Sequence, residues 1–164
     1  MEISNINDLY VANKLTVNSM LTPSLFNTFS DTTECDEYIL NDIIQRYGNK
    51  CNNVGYINDN IKFLNRTIGC INASHFTGNI HYKVEIETSI LSPTQGVILE
   101  CSVIGVNNAG ILCENHPIRV MICPDAGDDI CDIKSGDTIL VKILHFKVVL
   151  NSKNIKALGK FIKK

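Results

Sequence analysis

Positive charge concentrates in the last part of the chain, and it is the clearest chemical signal in the sequence. Seven lysines follow Asp137 with no aspartate or glutamate among them: Lys142, Lys147, Lys153, Lys156, Lys160, Lys163 and Lys164. Residues 1–96 carry six Lys and Arg against ten Asp and Glu, whereas residues 97–164 carry nine against seven. Such a basic block typically marks a surface that binds a polyanion. The alternative is a solvated surface with a lysine-rich tail.

Other side chains with chemical potential are not spaced for catalysis or metal binding. The four histidines show no ligand spacing such as His-x-x-x-His. The acidic stretch from Asp125 to Asp132 lacks the alternating oxygen ligands and closing glutamate of a calcium loop. No Gly-rich phosphate loop, nucleophile elbow or paired-carboxylate motif is present. We therefore expect no catalytic residue, no metal ion and no cofactor.

The seven cysteines indicate a reducing environment. None of them forms a Cys-x-x-Cys pair, and several alternate with apolar residues, which is typical of buried structural thiols. The N-terminal residues do not resemble a signal peptide. The longest apolar stretches are shorter than the roughly 20 residues that cross a bilayer. We expect an intracellular protein that does not enter a membrane.

The first half of the chain predicts a mixture of helices and strands. Residues 9–21 resemble a strand, and Thr22 and Pro23 then predict a short helix, since they suit its cap and its first position. Apolar spacing predicts a second helix over residues 36–46, after a polar loop at residues 31–34 and before Gly48 and Asn49. Alternation over residues 80–86 predicts a half-buried strand.

The second half predicts an all-β domain. After a break at residues 91–96, strand patterns occupy residues 97–106, 111–113, 118–123, 138–146 and 154–162. Five short strands with turn signals between them are typical of a closed or nearly closed barrel. The sequence therefore predicts an α+β N-terminal domain followed by an all-β, five-stranded barrel.

The order of several short signals resembles the seventh, stalk-forming subunit of multisubunit DNA-directed RNA polymerases, found in eukaryotes, archaea and some large DNA viruses. The resemblance extends from about Leu15 over nearly the whole chain. Its signals are Leu21-Thr-Pro-Ser-Leu25, Gly48-Asn-Lys-Cys-Asn-Asn-Val-Gly-Tyr-Ile57, Tyr82-Lys-Val84, Leu91-Ser-Pro-Thr-Gln-Gly96, Asn108-Ala-Gly-Ile111, Ile133-Lys-Ser-Gly-Asp137, Val141-Lys-Ile143 and Ile155-Lys-Ala-Leu-Gly159.

The resemblance implies two domains with different partners. Residues 1–92 would form a tip domain that docks on the polymerase core subunits, with Gly55, Tyr56, Ile57 and Arg66 as docking residues. Residues 93–164 would form an all-β, five-stranded OB-type barrel, of the ribosomal S-one kind, that meets nascent RNA. The family often includes a fourth-subunit-like stalk partner, and nucleotidyl transfer belongs to the whole complex. The implied location is the nucleus for a cellular protein, or the cytoplasmic virus factory and virion for a viral one. The AT-rich codon bias suggested by many Asn, Ile and Lys residues favours the viral case.

The expected RNA-binding residues of the barrel are Arg119, Lys142, His145, Lys147, Lys153 and Lys156. RNA-binding barrels of this type usually stack bases on aromatic residues of the second and third strands, but residues 111–113 and 118–122 contain no aromatic residue. We therefore expect sequence-independent phosphate contacts that weaken with salt. Two alternatives stay open: a standalone RNA-binding barrel protein of translation or RNA decay, and a protein–protein adaptor whose barrel no longer binds RNA.

Overall fold

The computed structural model describes residues 3–74, 76–123 and 133–162. These residues include a 3-10 turn (Ile6–Leu9) and two helices, α1 (Pro23–Phe26) and α2 (Thr32–Tyr47). The strands are β1 (Tyr10–Leu21), β2 (Lys50–Cys51), β3 (Tyr56–Ile57), β4 (Lys62–Arg66), β5 (Cys70–Ile71), β6 (Ile80–Leu91), β7 (Ile98–Asn107), β8 (Gly110–Asn115), β9 (Ile118–Ile122), β10 (Thr138–Lys147) and β11 (Ile155–Ile162).

The chain divides into two compact units. The barrel unit comprises Met1–Val11, Asn49–Tyr56 and Ile90–Lys164. The helix unit comprises Ala12–Gly48 and Ile57–Ser89. The chain therefore passes between the units four times along its length. The assignment of separate docking and RNA-binding roles to residues 1–92 and 93–164 stays a prediction.

Helix α2 begins four residues before its predicted start. The Asp31 carboxylate accepts a hydrogen bond from the Glu34 amide at 2.9 Å, and the Glu34 carboxylate accepts one from the Ser30 amide at 2.7 Å. Asp31 thus caps amides that have no partner within the helix. The predicted polar loop at residues 31–34 is wrong, because residues 32–34 form the first helical turn. The predicted end is confirmed: Asn49, just beyond the helix, adopts a positive φ of 53°.

Strand β6 is central to the first sheet, whose order is β1-β6-β3-β2 with β4 and β5 also paired to β6. The predicted alternation is confirmed, since Tyr82, Val84 and Ile86 are buried. The predicted start of α1 is confirmed as well. The Thr22 hydroxyl accepts a hydrogen bond from the Leu25 amide at 3.4 Å, with proline at the first helical position.

The second sheet is a closed barrel in the order β10-β11-β9-β8-β7, with β7 also paired to β10. All neighbouring pairs are antiparallel except β9 and β11, which are parallel. If the barrel strands β7 to β11 are numbered one to five along the chain, their order around the barrel is 1-2-3-5-4. This is the OB-type arrangement. The predicted fold class, an α+β N-terminal region followed by a five-stranded OB-type barrel, is confirmed.

The barrel core includes residues from outside the five strands. Cys51, Tyr56 and Leu91 belong to the same buried cluster as the inward-facing barrel residues, and Ile6 and Leu9 of the N-terminal turn pack against it. The Ser4 amide also donates to the Ile98 carbonyl at 3.0 Å, so that the N-terminal segment is tied to β7. Burial of such apolar side chains is the main stabilising force of a small barrel. The core of the barrel unit is therefore assembled from three separate stretches of the sequence.

Six cysteines lie within the described residues, and all six are free thiols. Four are buried, which confirms the predicted packing role for them, whereas Cys70 and Cys123 are exposed. Some sequence expectations concern residues outside the described ranges, namely Cys131, His75, the acidic stretch at residues 125–132, Lys163 and Lys164. Among the described residues, no helix has the length and apolar composition that would be needed to span a bilayer.

Candidate nucleic-acid interface

Two basic lines cross the outer face of the barrel. In the first, which we call line one, Lys156 of β11 stands opposite Arg119 of β9 on one side and Lys147 of β10 on the other. In the second, line two, Lys142 of β10 stands opposite Lys160 of β11. All five side chains are exposed. Strand register therefore brings together four of the six residues predicted to bind RNA and adds Lys160 to them.

These neighbours carry the same charge, which opposes folding. Like charges directly across a strand pair are destabilising, whereas opposite charges in the same positions stabilise by about 0.2–1 kcal/mol. Both antiparallel pairs, Lys147 with Lys156 and Lys142 with Lys160, have the unfavourable arrangement. A bound polyanion would relieve this repulsion, since each phosphate could lie between two ammonium groups.

Arg119, His145 and Lys153 differ from the other predicted residues in their surroundings. The Arg119 Nε lies 3.2 Å from the Glu114 Oε1, so that a neighbouring carboxylate offsets part of its charge. His145 Nδ1 lies 3.4 Å from the Gln95 Nε2, and its strand position is opposite Leu158. Lys153 is exposed in the connection between β10 and β11. In OB folds this connection, together with the second and third strands, commonly contacts oligonucleotides.

An apolar row separates the two basic lines. Leu112 of β8 stands opposite Met121 of β9, which in turn stands opposite Leu158 of β11. Leu158 and Leu144 are about half exposed. An open cavity of about 170 Å³ is bordered by Met121, Cys123, Leu144, Leu158, Gly159 and Lys160. Aliphatic side chains thus occupy the place where nucleic-acid-binding barrels usually have aromatic ones, and base stacking is correspondingly weaker.

Three of the predicted docking residues are buried within the chain. Tyr56 is 2% exposed and its hydroxyl lies 3.2 Å from the His116 Nε2, while Ile57 is 1% exposed. At Gly55 a Cβ atom would lie 2.9 Å from the Ile90 Cγ2 and still closer to the Leu91 carbonyl oxygen. Glycine is therefore needed there for close packing. These residues contribute to the folded core, and a docking role for them stays a prediction.

The fourth predicted docking residue, Arg66, belongs to a network inside the helix unit. Its Nε donates to the Asp36 carboxylate of α2, and its guanidinium lies 5.0 Å from the centre of the Tyr82 ring. The hydrogen bond to Asp36 raises the pKa of Arg66. Burial raises the pKa of the neighbouring Cys35 thiol. Arg66 thus connects α2 to β4 and β6, and its side chain is only 20% exposed.

The interior of the barrel contains a thiol pair that the sequence did not indicate. The Cys113 Sγ donates to the Val120 carbonyl at 3.4 Å. The hydrogen bond with Cys101 raises the pKa of Cys113, and burial raises it further. A protonated thiol is a poor metal ligand and a poor nucleophile. Within the described residues, no three His, Cys, Asp or Glu side chains are grouped as a metal site would require.

Sequence reasoning counted Lys160 in the basic block but left it out of the expected RNA-binding residues, and it missed the apolar row entirely. Both depend on register: Lys160 joins the face because β10 and β11 pair at Lys142, and Leu158 aligns with Met121 because β9 and β11 are parallel. Alternation within β11 placed Lys156, Leu158 and Lys160 on one face. That local signal could have indicated the shared face, but the partners across the strands could not be read from it.

The sequence of the chain is similar to that of a viral protein. No protein family model matches the chain. The chain is 24% identical over 142 residues to a protein of Acanthamoeba polyphaga mimivirus that carries the description "Putative DNA-directed RNA polymerase subunit L376". The alignment covers 77% of this chain and 71% of the mimivirus protein, and therefore includes residues of both compact units. The OB-type barrel with its two basic lines occurs in a chain that is similar to this viral protein.

Proposed function

We propose that this chain is a non-catalytic stalk subunit of a DNA-directed RNA polymerase. The observation that carries the proposal is the similarity to the mimivirus protein over three quarters of the chain. A stalk subunit needs a part that docks on the enzyme and a part that meets the transcript. The two compact units of the chain are suited to these two tasks, and the barrel is of a type that often binds single-stranded nucleic acid.

In this proposal the barrel contacts RNA through the basic lines. Lysines on a strand surface bind phosphate as point charges, without regard to base identity. Such contacts suit a subunit that must accept every transcript. The lack of aromatic residues on β8 and β9 makes the binding weak and strongly salt-dependent. Arg119 contributes less than the lysines because Glu114 lies beside it.

The helix unit would dock on the polymerase core subunits, and a fourth-subunit-like protein is a further candidate partner. The chain would then act wherever the polymerase works, inside the cell or in a virus factory and virion. Nucleotidyl transfer would belong to the assembled enzyme.

Structural observations bear on both alternative functions, the standalone RNA-binding module and the protein–protein adaptor. A standalone barrel module is disfavoured because the barrel core draws on residues near 51, 56 and 91 and on the N-terminal turn. The adaptor hypothesis is favoured by the aliphatic row, which offers protein-like apolar contacts in place of stacking rings. Under that hypothesis polymerase binding persists but RNA binding is absent.

Affinity purification tests the proposal. Tagged protein, expressed in its own host or infected cells and recovered in mild salt, should bring the two largest polymerase subunits in near-stoichiometric amounts. The tag alone is the control. Recovery of ribosomal or RNA-decay proteins in place of polymerase subunits would favour the standalone alternative and reject the stalk proposal.

A further inference from the structure

The apolar row on the barrel lies midway between the two basic lines. In β11, Leu158 is two residues from Lys156 of line one and two residues from Lys160 of line two. The intervening Ala157 and Gly159 are buried, so that the leucine and both lysines share the outer face. Strand residues advance by about 3.3 Å each, and each basic line therefore runs about 7 Å from the row.

The centre of the row is a recess that has aliphatic and basic side chains on its border. The open cavity of about 170 Å³ is bordered by Met121, Leu144 and Leu158 together with Lys160. Leu144 is the extra residue at the point where the register of β10 against β11 shifts. A bulge of this kind re-aims a side chain, and Leu144 is half exposed. The recess is thus shaped to receive an apolar side chain from another molecule.

The dimensions of this face suit an α-helix that lies across the strands. The central part of the row crosses β9, β11 and β10, which spans about 10 Å at a strand spacing of about 4.8 Å. Two helical turns are about 11 Å long, and side chains at i, i+4 and i+7 follow one face. A helix with its side chains is about 10–12 Å wide. The two basic lines, about 13 Å apart, would therefore border it on both sides.

The charges beside the row indicate which polar residues such a helix needs. Line one consists of Arg119, Lys147 and Lys156, line two consists of Lys142 and Lys160, and all five side chains are exposed. Acidic residues on both sides of an apolar stripe would lie opposite these cations. They would also relieve the repulsion between lysines that pair across β10 and β11.

We propose that the apolar row and the two basic lines form one docking groove for an acidic amphipathic helix of a protein partner. Aliphatic residues of the helix would fill the recess, and its aspartates and glutamates would pair with the lysines. This inference goes beyond the proposed function but concerns the same barrel face. The helix and RNA therefore exclude each other, and binding of such a partner would release a transcript from the barrel.

Other occupants fit this groove less well. Base stacking on aliphatic side chains is weak, so that RNA alone would leave the row without a partner. A second copy of the chain would bring the same lysines face to face. Segments that enter a membrane project apolar side chains about 5–10 Å into the lipid boundary, whereas Leu144 and Leu158 are half exposed and border a recess. An acidic amphipathic helix satisfies both the row and the lines.

A designed peptide tests the groove in the full-length chain. The probe is an acetylated and amidated peptide of about 18 residues, a length at which isolated helices form. It has leucine at i, i+4, i+7 and i+11 and glutamate on both sides of this stripe. The control peptide has the same composition in an order that disperses the leucines around the helix. Both peptides are labelled, and binding is measured by fluorescence anisotropy at one moderate salt concentration.

We expect the amphipathic peptide to bind at least about tenfold more tightly than the control peptide, because the charges are equal and only the first has a continuous apolar stripe. Unlabelled, it should also displace a labelled RNA of mixed sequence. Equal binding of the two peptides, binding of neither, or simultaneous binding of peptide and RNA would overturn the proposal. A chain that binds the peptide but recovers no polymerase subunits would keep the groove and reject only the proposed function.

Two double variants assign the contact to the row. Leu144→Ser with Leu158→Ser should weaken peptide binding about tenfold and change RNA affinity less than about twofold. Folding should persist because both side chains are half exposed. Val149→Ser with Leu150→Ser is the matched control, since it removes exposed apolar side chains from the connection after β10 and should leave both affinities unchanged. Equal loss of peptide binding in the two variants would contradict the assignment.

Three other results would identify a different occupant. An equal loss of RNA and peptide affinity in the Leu144→Ser, Leu158→Ser variant would assign the row to RNA. Flotation of the wild type with vesicles of anionic phospholipid, lost in that variant, would assign the row to a membrane. A wild-type dimer in sedimentation equilibrium that the same substitutions dissociate would assign it to a second copy. Each of these results overturns the proposal.

Discussion

Removing charge from the basic lines should change how RNA binding depends on salt. The variant carries Lys142→Gln, Lys147→Gln and Lys156→Gln, three exposed residues of lines one and two. Glutamine keeps a long polar side chain, and the like-charge repulsion across β10 and β11 is reduced, so that the variant should fold at least as stably as the wild type. The change therefore isolates phosphate binding from folding.

The magnitude follows from the number of lysines. Five contribute if each neutralises one phosphate: Lys142, Lys147, Lys153, Lys156 and Lys160. For single strands the slope of log K against log salt is about −0.7 per phosphate, which gives about −3.5 for five contacts and about −1.4 for two. Between 50 and 200 mM salt, the wild type should lose about 100-fold in affinity and the triple variant about 7-fold.

The assay is fluorescence anisotropy with a labelled single-stranded RNA of mixed sequence, repeated at four salt concentrations. A triple variant of the helix unit, Lys14→Gln, Lys62→Gln and Lys83→Gln, has the same change of net charge and should keep the wild-type slope. The reasoning is refuted if both triple variants show the same slope. Absence of measurable RNA binding by the wild type at low salt would support the adaptor hypothesis.

Further predictions concern stability and are checked by denaturant unfolding. Gly159→Ala should lower the free energy of unfolding by about 1–3 kcal/mol, because the added Cβ would lie 2.7 Å from the Val120 Cγ1 inside the barrel. Gly105→Ala should change it little, since among the described residues only the chain neighbours of Gly105 come within 4 Å of the added Cβ. Ser19→Ala should raise it by about 1–2 kcal/mol, because the buried Ser19 hydroxyl has no hydrogen-bond partner among the described residues; unchanged stability would indicate a bound water. Burial raises the pKa of the Cys35 thiol above its ordinary value of 9.0. The contribution of the protonated thiol to the free energy of unfolding is therefore complete below about pH 9, and it is lost as the pH rises through the raised pKa of the folded state. A Cys35→Ala variant should therefore lose less stability in alkali than the wild type, and an identical alkaline loss would contradict this.

The barrel could be predicted from sequence because its signals are local. Each strand alternates buried and exposed residues, and turns such as the one ending at Gly110, where φ is 145°, need a residue that accepts unusual backbone angles. The start of α2 was missed because the buried face begins at Cys35, while the helix itself begins at the Asp31 cap. The spacing of apolar residues predicts which face of a helix is buried, whereas the capping residue marks where the helix begins.

The candidate site depended on information that is not local. Lys142, Lys147 and Lys156 were found from charge alone, but their arrangement in lines needs the pairing of β10 with β11. The docking residues taken from the family resemblance, Tyr56 and Ile57, have a pattern that is equally typical of a buried core, and burial decides that they pack inside. Phe76 is the opposite case, an apolar residue that is fully exposed. Its residue type alone does not predict that exposure.

The way the barrel unit is assembled from distant parts of the chain has a consequence for biosynthesis. Strand β11, which closes the barrel between β9 and β10, consists of residues 155–162, and the N-terminal turn whose side chains pack against the core consists of residues 6–9. Contacts between residues that are far apart in the sequence slow the folding reaction. Residues 155–162 must therefore be synthesised before the barrel can close, whereas the last residue of the helix unit is Ser89. A nascent chain would thus contain every residue of the helix unit well before it could close the barrel.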